Sequence, residues 1–145
     1  MLAVSTARIV TCGMFIIGLA GCGADPGDAG GGTSNTVNGV VKEWEVSVDA
    51  GSAMAGEVIF TVANEGTIGH EFLVVKTDIP VGDIPLDGDS FPEPADGLEV
   101  VNEIGEFPKG TTESLTLMLE QGKYQLVCNL PGHYAAGMHA GFEVL

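Results

Sequence analysis

The chain has 145 residues, enough for one domain with a hydrophobic core once an N-terminal segment is set aside. Five lysines and arginines stand against 20 aspartates and glutamates, which gives a formal net charge of −15. This charge excludes nucleic-acid binding by phosphate neutralisation, because that mechanism requires a basic surface. The acidity is consistent with a basic protein partner, and equally with a soluble monomer whose charge only prevents association.

Residues 1–21 are predicted to be a lipoprotein signal peptide. Arg8 is the only positive charge before an apolar run, Ile9–Ala20, whose 12 residues are too few to span a bilayer. The run ends in Leu-Ala-Gly followed by Cys22, which resembles the lipobox in which the cysteine receives a diacylglyceryl group and becomes the mature N-terminus. The alternative is an ordinary signal peptide with an incidental cysteine. We therefore expect an extracytoplasmic protein, in the periplasm or at the cell surface, with Cys22 as its lipid anchor.

Residues 22–38 are rich in Gly, Asp, Ser, Thr and Asn and lack apolar periodicity, which predicts a flexible tether before a domain over 39–145. Cys12 lies in the signal peptide and Cys22 would carry lipid, so the domain retains one thiol, Cys128. A single thiol in an oxidising compartment is best explained as a metal ligand. One cysteine also excludes a dinuclear copper centre, which needs two bridging thiolates.

Apolar residues alternate with polar ones at period two over much of 39–145, which predicts strands of an all-β sandwich. The alternating apolar residues are Trp44, Val46 and Val48; Val58, Phe60 and Val62; Leu115, Leu117 and Leu119; and Phe142 and Val144. Tyr124, Leu126 and Cys128 should share one face of another strand, so Cys128 should point inward. No segment shows a convincing helical period.

The segment 77–110 contains five prolines, a density that excludes a central strand or a helix interior. We expect one edge strand near Glu99–Ile104, with the remainder wrapping the sandwich.

Cys128, His133 and Met138 lie within 11 residues at the end of a predicted strand. Thiolate, imidazole and a weak axial thioether are the ligands of a mononuclear copper site, and His70 at the start of an apolar run is the candidate for the fourth position. Each residue alone has a structural explanation, as a buried cysteine, a structural histidine or a core methionine. Together they predict one copper. His139 should face away from the metal and lie on the surface.

The motif Cys128-x4-His133-x4-Met138, preceded by Tyr124-Gln-Leu-Val127, resembles the cupredoxins, the type 1 blue copper proteins. Its spacing is closer to auracyanin and rusticyanin than to plastocyanin. The resemblance implies a Greek-key β-sandwich of about 7–8 strands and one-electron transfer. It also makes His70 the first ligand and the Gly69 carbonyl a distant axial neighbour.

In the family, the residue after the first histidine is commonly Asn, Asp or Ser and ties the two ligand loops together. Here that residue is Glu71, a departure from the pattern, so the link is not expected from this position, and Asn129, beside the cysteine, is the residue expected to make an equivalent one.

The resulting hypothesis is a membrane-tethered carrier of single electrons, not an enzyme, because a second copper site would need more than the chain's three histidines. A copper-handling protein without a redox partner is the alternative. The uncharged residues Pro131, Gly132, Tyr134 and Ala135 around His133 are predicted to form the electron-exit patch. Its partner would be a basic cytochrome c or a membrane redox complex.

Overall fold

The structure is a computed structural model that describes residues 35–145. The signal peptide, the lipid attachment at Cys22 and the tether as far as residue 34 lie outside the described residues and stay predictions. The first strand begins at Thr36, so residues 36–38 belong to the sandwich rather than to the tether.

Within residues 35–145 the chain forms nine strands and one short helix. In chain order they are β1 (Thr36–Lys42), β2 (Glu45–Val48), β3 (Ser52–Ala53), β4 (Gly56–Asn64), β5 (His70–Thr77), β6 (Leu98–Phe107), β7 (Thr112–Leu119), β8 (Gly122–Val127), α1 (His133–Ala136) and β9 (His139–Val144). The all-β prediction is confirmed. Across this part of the chain, no helix has the length and apolar character required to span a bilayer.

Two sheets pack face to face. One has the strand order β2-β1-β4-β7 and the other β3-β9-β8-β5-β6. The pairs β1–β4 and β3–β9 are parallel, and the remaining pairs are antiparallel. The two strands that lead into the predicted metal site, β5 and β8, are hydrogen-bonded neighbours in the second sheet.

The core lies between the sheets and is built from the predicted alternation. On β4 the side chains of Val58, Phe60 and Val62 are all buried. The ring of Phe60 contacts those of Phe72 and Phe142 on the opposite sheet, with centroids 5.5 and 5.4 Å apart. Burying one such side chain stabilises the fold by about 1.5–3 kcal/mol, and edge and tilted ring contacts add to this.

The outer face of β5 and β8 is buried as well, which identifies what the proline-rich segment does. Between β5 and β6 the chain crosses this face and places Ile84 and Phe91 against Leu73, Val75 and Val127. Because both faces of β5 are covered, its middle, Phe72–Val75, is a continuous apolar run and not an alternating one.

The predicted edge strand is confirmed and is longer than expected, since β6 extends from Leu98 to Phe107 at the end of its sheet. Its exposed positions include Glu99, Glu103 and Glu106, and charges at an edge oppose pairing with another chain. A register shift lies between the pairs His70–Phe107 and Phe72–Ile104. Irregularities of this kind re-aim neighbouring side chains, here at the start of β5.

One expected strand residue is placed differently. Trp44 was assigned to the alternation of β2, but β1 and β2 pair as far as Lys42 and Glu45, so Glu43 and Trp44 form a two-residue hairpin turn. A turn residue is not bound by the strand period, and Trp44 is 50% exposed.

Candidate metal centre

Three candidate ligand side chains meet at one end of the sandwich. The Nδ1 atoms of His70 and His133 are 3.3 Å apart, and Cys128 Sγ is 3.3 Å from His133 Nδ1. The three side chains are buried, and their ligand atoms all lie within 4.8 Å of one another. Three donors at about 2.0–2.3 Å from one ion lie roughly 3.5 Å apart, so the cluster fits a single metal.

Each of these residues occupies a defined point of the fold. His70 is the first residue of β5, and Cys128 directly follows β8. Tyr124, Leu126 and Cys128 all contribute to the core between the sheets, as the strand period predicted. His133 is the first residue of α1, a single helical turn that the sequence analysis did not anticipate.

The loop after Cys128 is closed by its own backbone. Cys128 N–H donates to Met138 O at 3.0 Å, and Met138 N–H donates to His133 O at 3.1 Å. The helical turn is flanked by Gly132 and Gly137, whose φ values of 82° and 118° lie in the region that favours glycine. Met138 is fully buried and shares the core cluster with Cys128, which is consistent with the axial role predicted for it.

Glu71 forms the link between the two ligand segments. Its Oε1 accepts the backbone N–H of Asn129 at 2.7 Å, and its own N–H donates to Cys128 Sγ at 3.5 Å. Burial raises the pKa of Glu71, and the nearby carboxylates of Glu103, Glu93 and Glu106 act in the same direction. The link is therefore present although position 71 departs from the family pattern, and Asn129 takes part through its backbone N–H rather than replacing Glu71.

The Asn129 side chain bonds to the segment between β5 and β6 rather than to the His70 segment. Its Oδ1 accepts Phe91 N–H and its Nδ2 donates to Phe91 O, both at 2.9 Å, and Nδ2 also donates to Glu93 Oε1. These bonds fasten the segment between β5 and β6 to the ligand loop. Gly132 N–H donates to Asp89 O at 2.7 Å and adds a further tie.

Gly69 lies beside the exposed side chain of Glu106 on β6. A Cβ at this position would lie 2.3 Å from Glu106 Oε1, so a side chain would displace Glu106. The role of its carbonyl as a distant axial neighbour stays a prediction.

Two residues of the β1–β2 turn contact the histidines and were missed by the sequence analysis. Glu43 Oε1 lies 3.1 Å from His70 Nε2, and the Trp44 ring meets the His133 ring edge-on with centroids 5.1 Å apart. Glu43 precedes His70 by 27 residues on another sheet, so no local spacing could have indicated the contact.

Tyr134 was predicted in the exposed patch, and this is wrong. Its position in α1 turns the ring inward against Phe91 and His139, with centroids 5.6 and 5.0 Å away. Its hydroxyl accepts Ile84 N–H at 3.2 Å and donates to Gln125 Oε1 at 3.1 Å. Tyr134 is therefore a core residue, whereas Pro131 and Ala135 are exposed as predicted and Gly132 is partly so. His139 is outside the ligand cluster, as expected, but is half-buried against Tyr134.

Comparison with known proteins gives one family. The family model described as copper binding proteins, plastocyanin/azurin family, matches residues 41–144. The chain belongs to this family. The predicted cupredoxin fold is thus confirmed.

Solved structures of cupredoxins share the fold at low sequence identity. Reduced auracyanin from Roseiflexus castenholzii aligns with a TM-score of 0.57 and 22% identity over 77% of this chain and 98% of that one. Auracyanin B aligns with a TM-score of 0.55 and 21% identity over 76% of this chain and 88% of that one. Rusticyanin from Thiobacillus ferrooxidans aligns with a TM-score of 0.51 and 22% identity over 77% of this chain and 78% of that one. Among curated proteins, none matches the sequence significantly.

The donor set suits the single type 1 copper of this family, with His70, Cys128 and His133 as its ligands. Burial raises the pKa of the Cys128 thiol to about 11. Burial, reinforced by His70, lowers the pKa of His133. The buried surroundings thus disfavour a thiolate without a compensating charge and favour neutral imidazole, and a bound cation supplies that charge. Thiolate together with neutral imidazole suits the copper that the family binds.

Proposed function

We propose that this protein is an extracytoplasmic, lipid-anchored electron carrier that exchanges single electrons with a positively charged redox protein. When bound, copper supplies the one-electron Cu(II)/Cu(I) couple. The observation that carries the proposal is the buried His70, Cys128 and His133 cluster in a member of the plastocyanin/azurin family.

The chain holds the donor side chains in place through backbone hydrogen bonds. Cys128 and Met138 are joined main chain to main chain, and Glu71 connects the segment of His70 to that of Cys128. Side chains held in this way have little freedom to rearrange when the charge of the site changes, which favours fast electron exchange. The buried surroundings also exclude water, which keeps other reactions away from the site.

His133 is the best candidate for the exit route. It is 8% exposed, whereas His70 and Cys128 are completely buried. We define the His133 face as the uncharged, exposed residues beside it: Trp44, Pro131, Ala135 and Ala136. Compared with the predicted patch, this face gains Trp44 and Ala136 and loses the buried Tyr134 and the partly buried Gly132. A small apolar face within an acidic protein suits a brief docking contact of low area.

Charge supports a cationic partner. Without residues 1–21 the chain keeps four lysines and all 20 acidic residues, a side-chain charge of −16. Such a charge attracts a basic protein before the two surfaces touch, and this attraction raises the encounter rate. A basic cytochrome c and a membrane redox complex with a basic surface are the two partner classes that this chemistry fits.

The test uses the visible spectrum and a partner. The protein loaded with Cu(II) should be blue because of charge transfer from the Cys128 thiolate, should be bleached by ascorbate, and should transfer electrons rapidly to or from a basic cytochrome c. Cys128→Ser should remove the colour. A colourless protein, or a blue Cys128→Ser variant, would contradict the type 1 assignment. A blue protein inert towards cytochrome c and towards membrane redox complexes would favour a copper-handling role instead.

A further inference from the structure

His70 uses both of its ring nitrogens. Its Nδ1 faces His133 Nδ1 in the ligand cluster, and its Nε2 lies 3.1 Å from Glu43 Oε1. An ionised carboxylate can only accept a hydrogen bond, so Nε2 carries the proton and Nδ1 presents its lone pair to the metal. The imidazole is completely buried and the carboxylate is 23% exposed, so the pair is only partly screened by solvent.

Glu43 is held ionised and in place by the chain that precedes β5. Its Oε1 accepts the backbone N–H groups of Thr67 at 2.9 Å and of Ile68 at 3.1 Å. The Thr67 N–H, with help from the other N–H donors, lowers the pKa of Glu43 to about 2. The carboxylate therefore gives up these backbone hydrogen bonds if it swings away from His70.

Gly66 shows that the fold makes room for this pair. A Cβ at Gly66 would lie 2.7 Å from His70 Nε2 and 2.8 Å from Glu43 Oε1. Both are closer than a carbon atom can approach, so any larger residue would separate the two groups. Gly66 N–H itself donates to Asn64 Oδ1 at 2.9 Å, which fixes the loop in this position.

We propose that Glu43 is a positioning residue of the copper centre, whose carboxylate fixes the tautomer of His70 and lowers the reduction potential. A carboxylate behind a ligand imidazole raises the basicity of the ligand, as in the carboxylate–histidine pairs of other metal sites. Its negative charge stabilises the oxidised, more positive state more than the reduced one. The inference needs the copper centre but not the proposed redox partner.

The variant Glu43→Gln tests the charge. The glutamine oxygen can still accept from His70 and from Thr67, so the fold and the blue spectrum should persist while the reduction potential rises. Glu45→Gln is the matched control, because Glu45 lies two residues further on, is exposed, and pairs with Lys42 rather than with a ligand. Its potential should stay close to that of the unmodified protein. Equal shifts in both variants, or no shift in Glu43→Gln, would overturn the proposal.

Two further variants test the hydrogen bond. Glu43→Ala removes the acceptor and Gly66→Ala pushes the pair apart, so each should weaken Cu(II) binding by about 10–100-fold. Nitrogen NMR of His70 in the copper-free protein, where no metal fixes the tautomer, should show a protonated Nε2 in the unmodified protein and in Glu43→Gln, and tautomer exchange in Glu43→Ala. If Glu43→Ala only lowers the unfolding temperature, with potential, copper affinity and His70 tautomer unchanged, Glu43 is merely structural and the proposal fails.

Discussion

The carboxylate of Glu71 accepts the backbone N–H of Asn129 at 2.7 Å, which joins the residue after one histidine ligand to the residue after the cysteine ligand. The two residues are 58 positions apart in sequence. The contact therefore ties the two ligand segments to each other through a single side chain, that of Glu71.

Removing this contact should destabilise the copper-free protein. Glu71→Ala leaves the buried Asn129 N–H without an acceptor, which costs about 1–3 kcal/mol in the free energy of unfolding. Glu71→Gln keeps an oxygen acceptor and should cost less. Urea denaturation of the copper-free variants measures both values, and an Ala variant as stable as the Gln variant would show that the bond contributes little.

Met138 should act as the axial ligand. Met138→Gln should retain copper but lower the reduction potential, because an oxygen donor favours Cu(II) more than a thioether does. Met118→Gln is the control, since Met118 on β7 is 73% exposed and lies outside the ligand loop. Voltammetry compares the two, and an unchanged potential in Met138→Gln would place Met138 away from the metal.

Asp49 should make the stability of the fold depend on pH in the acid range. Its two oxygens accept Asn38 N–H at 2.8 Å and Asn38 Nδ2–H at 2.7 Å, and the Asn38 side chain, followed by its backbone, lowers the pKa of Asp49. A lowered folded-state pKa gives stability that is complete above the unfolded value of about 3.9 and is lost as pH falls through the folded value.

The matching variant is Asp49→Asn. It should be less stable than the unmodified protein at pH 6, and the difference should shrink as pH falls towards 2. Thermal unfolding across this range measures it. A difference that is constant with pH would mean that the ionisation of Asp49 does not contribute.

Cys22 should carry the membrane anchor. Cys22→Ala should release the protein from the membrane fraction and leave the blue spectrum intact, because residue 22 precedes the sandwich by 14 positions. Cys12→Ala, within the predicted signal peptide, should remain attached. Fractionation of cells expressing each variant provides the measurement, and a membrane-bound Cys22→Ala protein would indicate another mode of attachment.

Electron exchange with a basic cytochrome c should depend on salt and on the His133 face. The rate should fall as the Debye length shortens from about 30 Å at low ionic strength to about 8 Å at physiological salt. Ala135→Glu should slow transfer by placing a charge on the docking face, without altering the spectrum. Ser52→Glu on β3 adds the same charge elsewhere and should have a smaller effect. Stopped-flow rates that do not change with salt would contradict electrostatic steering. An unchanged rate in Ala135→Glu would mean that electrons do not leave through the His133 face.

The parts of the structure that follow a local rule could be predicted from the sequence. The alternation of Val58, Phe60 and Val62 depends only on strand geometry, and it correctly placed their side chains in the core. The ligand cluster was found because Cys128 and His133 lie close together in the chain and carry distinctive chemistry. His70 was added from the resemblance and from its position before an apolar run.

The errors and omissions arose where contacts join distant segments. Tyr134 is polar and lies among small residues, so only the single turn of α1 and the cover provided by Phe91 explain its burial. Trp44 continues the alternation of Val46 and Val48 in the sequence, but it lies in the hairpin turn, where the strand period no longer applies. Glu43 meets His70 through the packing of two sheets, a relationship that a single sequence does not encode locally.

The position of Trp44 has an optical consequence. The chain contains one tryptophan, and its ring stands edge-on to His133 with centroids 5.1 Å apart. All indole emission therefore originates beside the metal centre, close enough for a bound Cu(II) ion to quench it. The native fluorescence thus reports metal loading without an attached dye. Because the Trp44 ring is half-exposed, its emission should also change when a partner covers this end of the molecule.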